Sequence, residues 1–166
     1  MKKMIVVLSI FLCLSVTACG TTETKENTDG DETVTQNEGS MTVTSNLNEN
    51  QIRITVGDKS FTVRLEDNES VAALLAMLVD GDKTIPASNY GGFEKVCRLG
   101  ESLPSNDVQT RTEAGDVMLY NSNQIVIFYD SNSWSYTRLG KVENLSAGEL
   151  AQILSGPENE ITMSIN

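Results

Sequence analysis

Over residues 51–65, apolar residues occupy every second position of two short runs. The runs are 52–56 and 61–65, and the sequence Gly-Asp-Lys at 57–59 separates them. A period of two is typical of a strand with one buried face, and Gly-Asp is common in tight turns. This stretch therefore predicts a β-hairpin.

The spacing then changes to that of a helix. The residues at i, i+3, i+4 and i+7 are Val71, Leu74, Leu75 and Leu78. This spacing puts all four on one face, and Asn68 is the natural N-cap before them. We predict a helix that begins after Asn68 and ends near Val79.

Short apolar runs dominate the rest of the chain. We predict strands over 93–99, 116–120, 124–129, 135–142 and 161–165, and loops over 85–92 and 100–114. The runs 116–120 and 124–129 are almost continuously apolar, which indicates a central pair of strands buried on both faces. Ser146 and Glu149 have the spacing of a capping box and predict a second short helix. Many short strands with two short helices favour a mainly β fold, a closed or half-closed barrel capped by helices.

The N-terminus has a different character. Lys2 and Lys3 precede an apolar run over 4–14, which is too short to span a bilayer, and Val16-Thr17-Ala18-Cys19 follows it. This arrangement resembles the signal of bacterial lipoproteins, in which the cysteine is lipidated after cleavage; the alternative is an ordinary secretory signal. We predict a signal peptide over 1–18, lipidation of Cys19, and a membrane anchor on the outer face of a bacterial cell membrane or in the outer membrane.

Residues 19–50 have almost no large apolar side chains and are rich in Thr, Glu and Asn. Such a composition cannot bury a core, so we predict an acidic, disordered linker between the lipid and a globular domain over 51–166. The linker would let the domain meet a partner just outside the membrane.

Composition restricts the chemistry of the domain. The chain has no histidine, which removes Ser-His-Asp and Cys-His catalysis and histidine metal ligands. Cys97 would be unpaired once Cys13 leaves with the signal peptide and Cys19 is lipidated, and it is predicted to be a buried apolar residue. Twelve basic residues face 23 acidic ones, a net charge of −11 that argues against nucleic acid as a partner. No metal and no cofactor are expected.

Three segments together resemble a known family. They are 114–120 (Ala-Gly-Asp-Val-Met-Leu-Tyr), 122–129 (Ser-Asn-Gln-Ile-Val-Ile-Phe-Tyr) and 136–142 (Tyr-Thr-Arg-Leu-Gly-Lys-Val). In this order they look like the bacterial cyclophilin-like domain, which often occurs in lipoproteins. The resemblance covers essentially all of 51–166. It implies a closed eight-stranded cyclophilin-like β-barrel with helices closing its ends.

The resemblance also suggests site residues. Gln124 stands where true cyclophilins hold substrate with a glutamine, and Val126 replaces an apolar pocket residue. Met118 belongs to the strand before them. The Phe-His-Arg segment with the catalytic arginine has no clear counterpart, and Arg98 is the nearest candidate by chain order. Arg138 is a third catalytic candidate, although a surface ion pair explains it as well.

Trp134 and Tyr136 could line a ligand cleft or cover an end of the barrel. The ligand-binding candidates are therefore Met118, Gln124, Val126, Trp134 and Tyr136.

Two hypotheses follow. The first is a non-catalytic module that binds a peptide, a protein or a small ligand in the former proline cleft. The second is a peptidyl-prolyl cis-trans isomerase, which needs an apolar proline pocket and a fixed cation but no histidine or metal. A geometric question separates them: whether Arg98 or Arg138 converges with Gln124 on one apolar cleft.

Overall fold

The computed structural model describes residues 50–165. The predicted signal peptide over 1–18, the predicted lipidation site at Cys19 and the predicted linker up to residue 49 lie outside these residues, as does residue 166. In the part described, no helix is both long and apolar enough to cross a membrane.

Nine strands and two helices make up residues 50–165. In chain order they are β1 (Gln51–Val56), β2 (Lys59–Leu65), α1 (Glu69–Leu78), β3 (Lys83–Tyr90), β4 (Glu94–Arg98), β5 (Val108–Thr112), β6 (Asp116–Tyr120), β7 (Gln124–Phe128), β8 (Asn132–Glu143), α2 (Ala147–Leu154) and β9 (Glu160–Ile165).

Eight of the strands form a closed ring. Their order is β2-β1-β9-β3-β4-β7-β6-β8, and β2 also pairs with β8, which closes the sheet on itself. All of the pairings are antiparallel. The predicted closed, mainly β barrel of eight strands is confirmed. The ninth strand, β5, pairs only with the first half of β8 and extends the sheet beyond the ring.

The interior of the ring is the main hydrophobic core. Inward residues of the strands, such as Ile54, Val63 and Leu119, pack with Leu74 of α1 and Leu150 of α2. Asn68 accepts a hydrogen bond from the Val71 amide and caps α1, and the predicted capping box of Ser146 and Glu149 opens α2. Both helices therefore cover the core with the faces that the apolar spacing indicates.

Two loop predictions are wrong. Residues 83–90 form β3, in which Ile85 and Ala87 are buried while Pro86 between them is exposed. The alternation exists, but a proline and small residues obscure it. Residues 108–112 form β5, where Thr112 is the one buried residue. An edge strand that buries so little has no hydrophobic pattern to detect.

Candidate functional site

A second apolar cluster lies on the outer side of the ring. Its buried members are Met118, Val126, Phe128 and Tyr136, and Phe93, Val96 and Tyr120 pack against them half-buried. Because side chains alternate along a strand, the other residues of β6 and β7 fill the interior core while these project outward. The predicted burial of both faces of this pair of strands is confirmed.

The outer cluster forms the floor of a concave site of about 550 Å³, which we name the aromatic cleft. Its lining residues are Ser88, Tyr90, Phe93, Glu94, Val96, Arg98, Tyr120, Gln124, Val126, Asn132, Trp134 and Tyr136. The volume is within the range of small-ligand pockets, and such pockets typically combine an apolar surface with a few polar groups.

The turn between β3 and β4 brings an aromatic pair to one end of the cleft. Gly91 and Gly92 both have positive φ, at 61° and 75°, a conformation that suits glycine. A Cβ on Gly91 would collide with the ring of Phe93, so the missing side chain lets that ring fold back over the turn. The rings of Tyr90 and Phe93 meet edge to face, 6.1 Å between centroids.

Glu94 is the unusual polar group of the cleft. Its side chain is only 6% exposed, and Oε2 has no hydrogen-bond partner within residues 50–165. Burial raises the pKa of Glu94 to about 7. After burial, the charge of Glu94 is the next cause that raises the pKa values of Tyr129 and Tyr136. A buried carboxyl oxygen without a donor is costly, and Glu94 is the residue of the cleft that carries one.

Arg98 and Gln124 form the other end of the cleft. They are directly opposite each other in the pairing of β4 with β7. Arg98 is exposed, and neither side chain makes a hydrogen bond or ion pair with another residue in 50–165. Val96 and Val126 are the next outward pair along the same strands, so an apolar surface separates this end from Glu94.

The first half of β8 forms the wall of the cleft. Tyr136 is buried, with its ring 5.4 Å from that of Phe128 and 5.8 Å from that of Tyr120. The amide of Asn132 donates a hydrogen bond to the Tyr136 hydroxyl at 3.0 Å. Trp134, the only tryptophan of the chain, is 58% exposed at the rim. Both aromatic residues of β8 thus line the cleft.

Arg138 lies elsewhere. Its guanidinium donates to Oδ1 of the buried Asp116 at 2.9 Å, as does the ammonium of Lys141. Burial by itself raises the pKa of Asp116, but hydrogen bonds from Lys141, the Glu113 amide and Arg138 outweigh it and the pKa is lowered. Arg138 therefore holds a buried carboxylate in place and does not converge with Gln124.

A second cavity of about 700 Å³ borders the start of α1 and includes Arg138. Several of its polar groups are engaged in hydrogen bonds. Ser70 donates to the Pro104 carbonyl at 2.6 Å, and Thr137 donates to Asp107 at 2.7 Å. This cavity has no buried polar side-chain atom without a partner, whereas the aromatic cleft has one. The aromatic cleft is the better candidate for a ligand site.

The structure brings most of the predicted site residues together. Those that line the aromatic cleft are Arg98, Gln124, Val126, Trp134 and Tyr136, and Met118 is buried beneath them. Sequence reasoning missed Tyr90, Phe93, Glu94, Tyr120 and Asn132. In 93–98 the alternation does place Glu94, Val96 and Arg98 on one face, but it does not indicate which residues of other strands surround that face.

Within 50–165, no group of three or more acidic or cysteine side chains is close enough to hold a metal ion.

Comparisons with known proteins agree with this fold. The model of a family described as cyclophilin-like matches residues 54–166. No curated protein matches the chain. Among solved structures, the chain is similar to a hypothetical protein from Archaeoglobus fulgidus, determined in solution. The TM-score is 0.50 at 14% identity, over 70% of this chain and 94% of that one. At this identity the likeness concerns the fold alone.

Proposed function

Since the chain belongs to the cyclophilin-like family, we propose that it is an exported, lipid-anchored binding protein whose ligand occupies the aromatic cleft. The ligand is a peptide, a segment of a protein or a small molecule. The observation that carries the proposal is a cleft with an aromatic wall and a buried carboxylate oxygen without a partner. A buried polar atom without a partner calls for an explanation, and a bound ligand would provide one.

The family gives a fold and does not by itself give an activity. The chain lacks the Phe-His-Arg segment of catalytic cyclophilins, and Arg138 is occupied by Asp116. A binding protein needs neither the Phe-His-Arg segment nor a free arginine at position 138. This difference favours a binding role over catalysis.

The sole tryptophan offers a direct test of binding. Trp134 is exposed at the rim of the cleft, so its fluorescence should change when the cleft fills. The full chain would be titrated with a panel of short synthetic peptides, some of them containing Xaa-Pro. We expect saturable changes with a subset of the panel. Folded protein that shows no saturable change with any peptide would argue against a peptide ligand.

A pair of valine substitutions assigns the binding to the cleft. Val96→Arg places a long charged side chain on the floor and should abolish the saturable change. Val79→Arg introduces the same side chain at an exposed position away from the cleft and should leave it intact. Equal effects of the two substitutions would place the binding elsewhere.

The anchor is tested separately. With Cys19 intact, we expect incorporation of radiolabelled palmitate and recovery of the protein with membranes. The Cys19→Ala chain should lose the label and fractionate as a free protein. Retention of the variant in membranes at the wild-type level would contradict lipid anchoring.

Peptidyl-prolyl isomerase activity is the second candidate, and one observation favours it. Arg98 and Gln124 face each other across β4 and β7 beside the apolar pair Val96 and Val126. An isomerase requires a cation beside an apolar pocket, and Arg98 supplies the cation, although no other residue among those described holds its side chain in place. NMR exchange on an Xaa-Pro peptide measures the rate. Catalysis that both Arg98→Ala and Gln124→Ala abolish would establish this activity, and a rate equal to the spontaneous one would exclude it.

A further inference from the structure

The aromatic cleft has two polar ends with different charges. Glu94, Val96 and Arg98 are alternate residues of β4 and project to the same side of the sheet. The two charged residues are four positions apart on an extended strand, which is about 13 Å along the backbone. Between them lies the apolar surface of Val96 and Val126. A ligand that fills the cleft lengthwise therefore meets a carboxyl group at one end and a guanidinium at the other.

The end at Glu94 suits a positively charged group. A buried carboxylate without a donor is stabilised most by a cation that also donates a hydrogen bond. The rings of Tyr90, Phe93 and Tyr136 line the cleft near this residue, and aromatic faces attract cations. The domain's charge acts in the same direction, because residues 51–166 contain nine basic and 16 acidic residues.

The end at Arg98 suits an acceptor. Its guanidinium is exposed, and it makes no ion pair among the described residues. The fork of an arginine binds a carboxylate through two parallel hydrogen bonds, and the amide of Gln124 beside it can donate another.

We propose that the aromatic cleft takes a bipolar, extended ligand, with a protonated amine or guanidinium against Glu94 and a carboxylate against Arg98 and Gln124. This inference rests on the proposed function, since it assumes that the cleft binds a ligand. The ligand is a short peptide or a zwitterionic small molecule, and both present the same two groups. The apolar part of the ligand lies over Val96 and Val126.

A series of ω-amino acids tests the distance between the two ends. The probes run from 4-aminobutanoate to 12-aminododecanoate, and Trp134 fluorescence of the full chain reports binding. We expect an affinity maximum at an intermediate length, with the alkylamine and the alkanoate of that length at least about tenfold weaker. Equal affinity of the ω-amino acid and the alkylamine at every length would overturn the proposal.

Substitutions assign the two ends. Glu94→Gln keeps the size of the side chain and should weaken the best ω-amino acid and the alkylamine about tenfold or more, but not the alkanoate. Arg98→Gln should weaken the ω-amino acid and the alkanoate, but not the alkylamine. Glu160→Gln makes the same change as Glu94→Gln on β9, outside the cleft, and should have no effect. A Glu94→Gln chain that binds the alkylamine like the wild type would overturn the assignment.

Two comparisons show whether the ligand is a peptide, and whether a negative result concerns the bipolar inference or the proposed function. Tripeptides and tetrapeptides with free termini, compared with their acetylated and amidated forms, show whether a peptide supplies both groups. If the blocked peptides bind as tightly as the free ones and no ω-amino acid binds, the cleft remains a binding site and the bipolar inference fails. If Val96→Arg has no effect on any ligand, the proposed function itself fails.

Discussion

Glu94 lies in the proposed site and also makes the stability of the domain depend on pH. Its carboxyl group is buried next to aromatic rings, and burial raises its pKa to about 7. The unfolded chain ionises this group near its ordinary value of 4.5. Between about pH 4.5 and about pH 7, the folded protein therefore keeps a proton that the unfolded chain has lost.

The sign of the pH dependence follows from this difference. Stability falls as the pH rises from about 4.5 to about 7, by at most about 3 kcal/mol, and is constant above 7. Asp116 affects stability in another pH range. Because folding lowers the pKa of Asp116, its contribution to stability decreases only below about pH 3.8. Urea unfolding at pH 5 and pH 8 measures the effect.

Glu94→Gln removes the titrating group. We expect the free energies of unfolding of this variant at pH 5 and pH 8 to be closer together than those of the wild type, whereas Glu160→Gln should retain the wild-type difference. A wild-type chain that is as stable at pH 8 as at pH 5 would contradict the buried carboxyl group.

Burial makes the thiol of Cys97 unreactive in the folded domain. Its side chain is fully inside the ring, and burial raises the pKa of its thiol to about 12, although nearby Lys95 acts to lower it. Few thiolates exist at neutral pH under these conditions. In a Cys13→Ala, Cys19→Ala chain, where Cys97 is the sole thiol, we expect no reaction with a disulfide reagent at pH 8 until urea is added. Rapid reaction of the folded chain would show that Cys97 is accessible.

At the scale of the elements, closure of the ring depends on the contact of β8 with β2. Leu65 is opposite Gly140 in this pairing, and a Cβ on Gly140 would collide with the backbone carbonyl oxygen of Arg64. Any side chain at this position therefore pushes the two strands apart.

A matched pair of glycine substitutions measures this contact. We expect Gly140→Ala to lower the free energy of unfolding by about 1–3 kcal/mol. Gly148→Ala in α2 has open space around its new methyl group and should be neutral or stabilise by up to about 1 kcal/mol. Thermal or urea unfolding of the two variants gives the comparison. Similar effects of both would contradict a tight contact at the closing pair.

The sequence predicts some elements well because their patterns are local. The N-cap of α1 and the capping box of α2 need only neighbouring residues. Strands β6 and β7 are apolar on both faces and stand out without knowledge of the fold. Strand β5 depends on its pairing with β8, which no local pattern contains.

The site was predictable only in part for a similar reason. Arg98 and Gln124 follow from the resemblance to a family, and the sequence leaves Trp134 and Tyr136 open between lining a cleft and covering an end of the barrel. Glu94 becomes unusual only through residues that β3 and β7 place beside it, since Tyr90 and Phe128 are its partners across the sheet.

Lys95 next to Glu94 would be assigned to the surface by its charge. It is fully buried, because its ammonium donates to the carbonyls of Glu158 at 2.8 Å and Gly156 at 3.4 Å. Those carbonyls lie more than sixty residues further along the chain. No local pattern could therefore have predicted that this lysine is buried.

At the scale of the molecule, the ring has two apolar surfaces, one inside and one outside. The inner surface, covered by α1 and α2, holds the fold together. The outer surface carries a smaller cluster under the aromatic cleft, where the site residues lie. Substitutions on the outer face change the lining of the aromatic cleft and leave the inner core as it is.

Mapping of backbone amide shifts by NMR tests most directly that the aromatic cleft is the ligand site. Isotope-labelled protein would be titrated with the ω-amino acid or peptide that changes Trp134 fluorescence most strongly. We expect the largest shifts in residues 88–98, 120–126 and 132–136, with little change around the start of α1. Shifts that centre on the cavity beside Ser70 and Arg138, or that are absent from the cleft, would contradict the assignment.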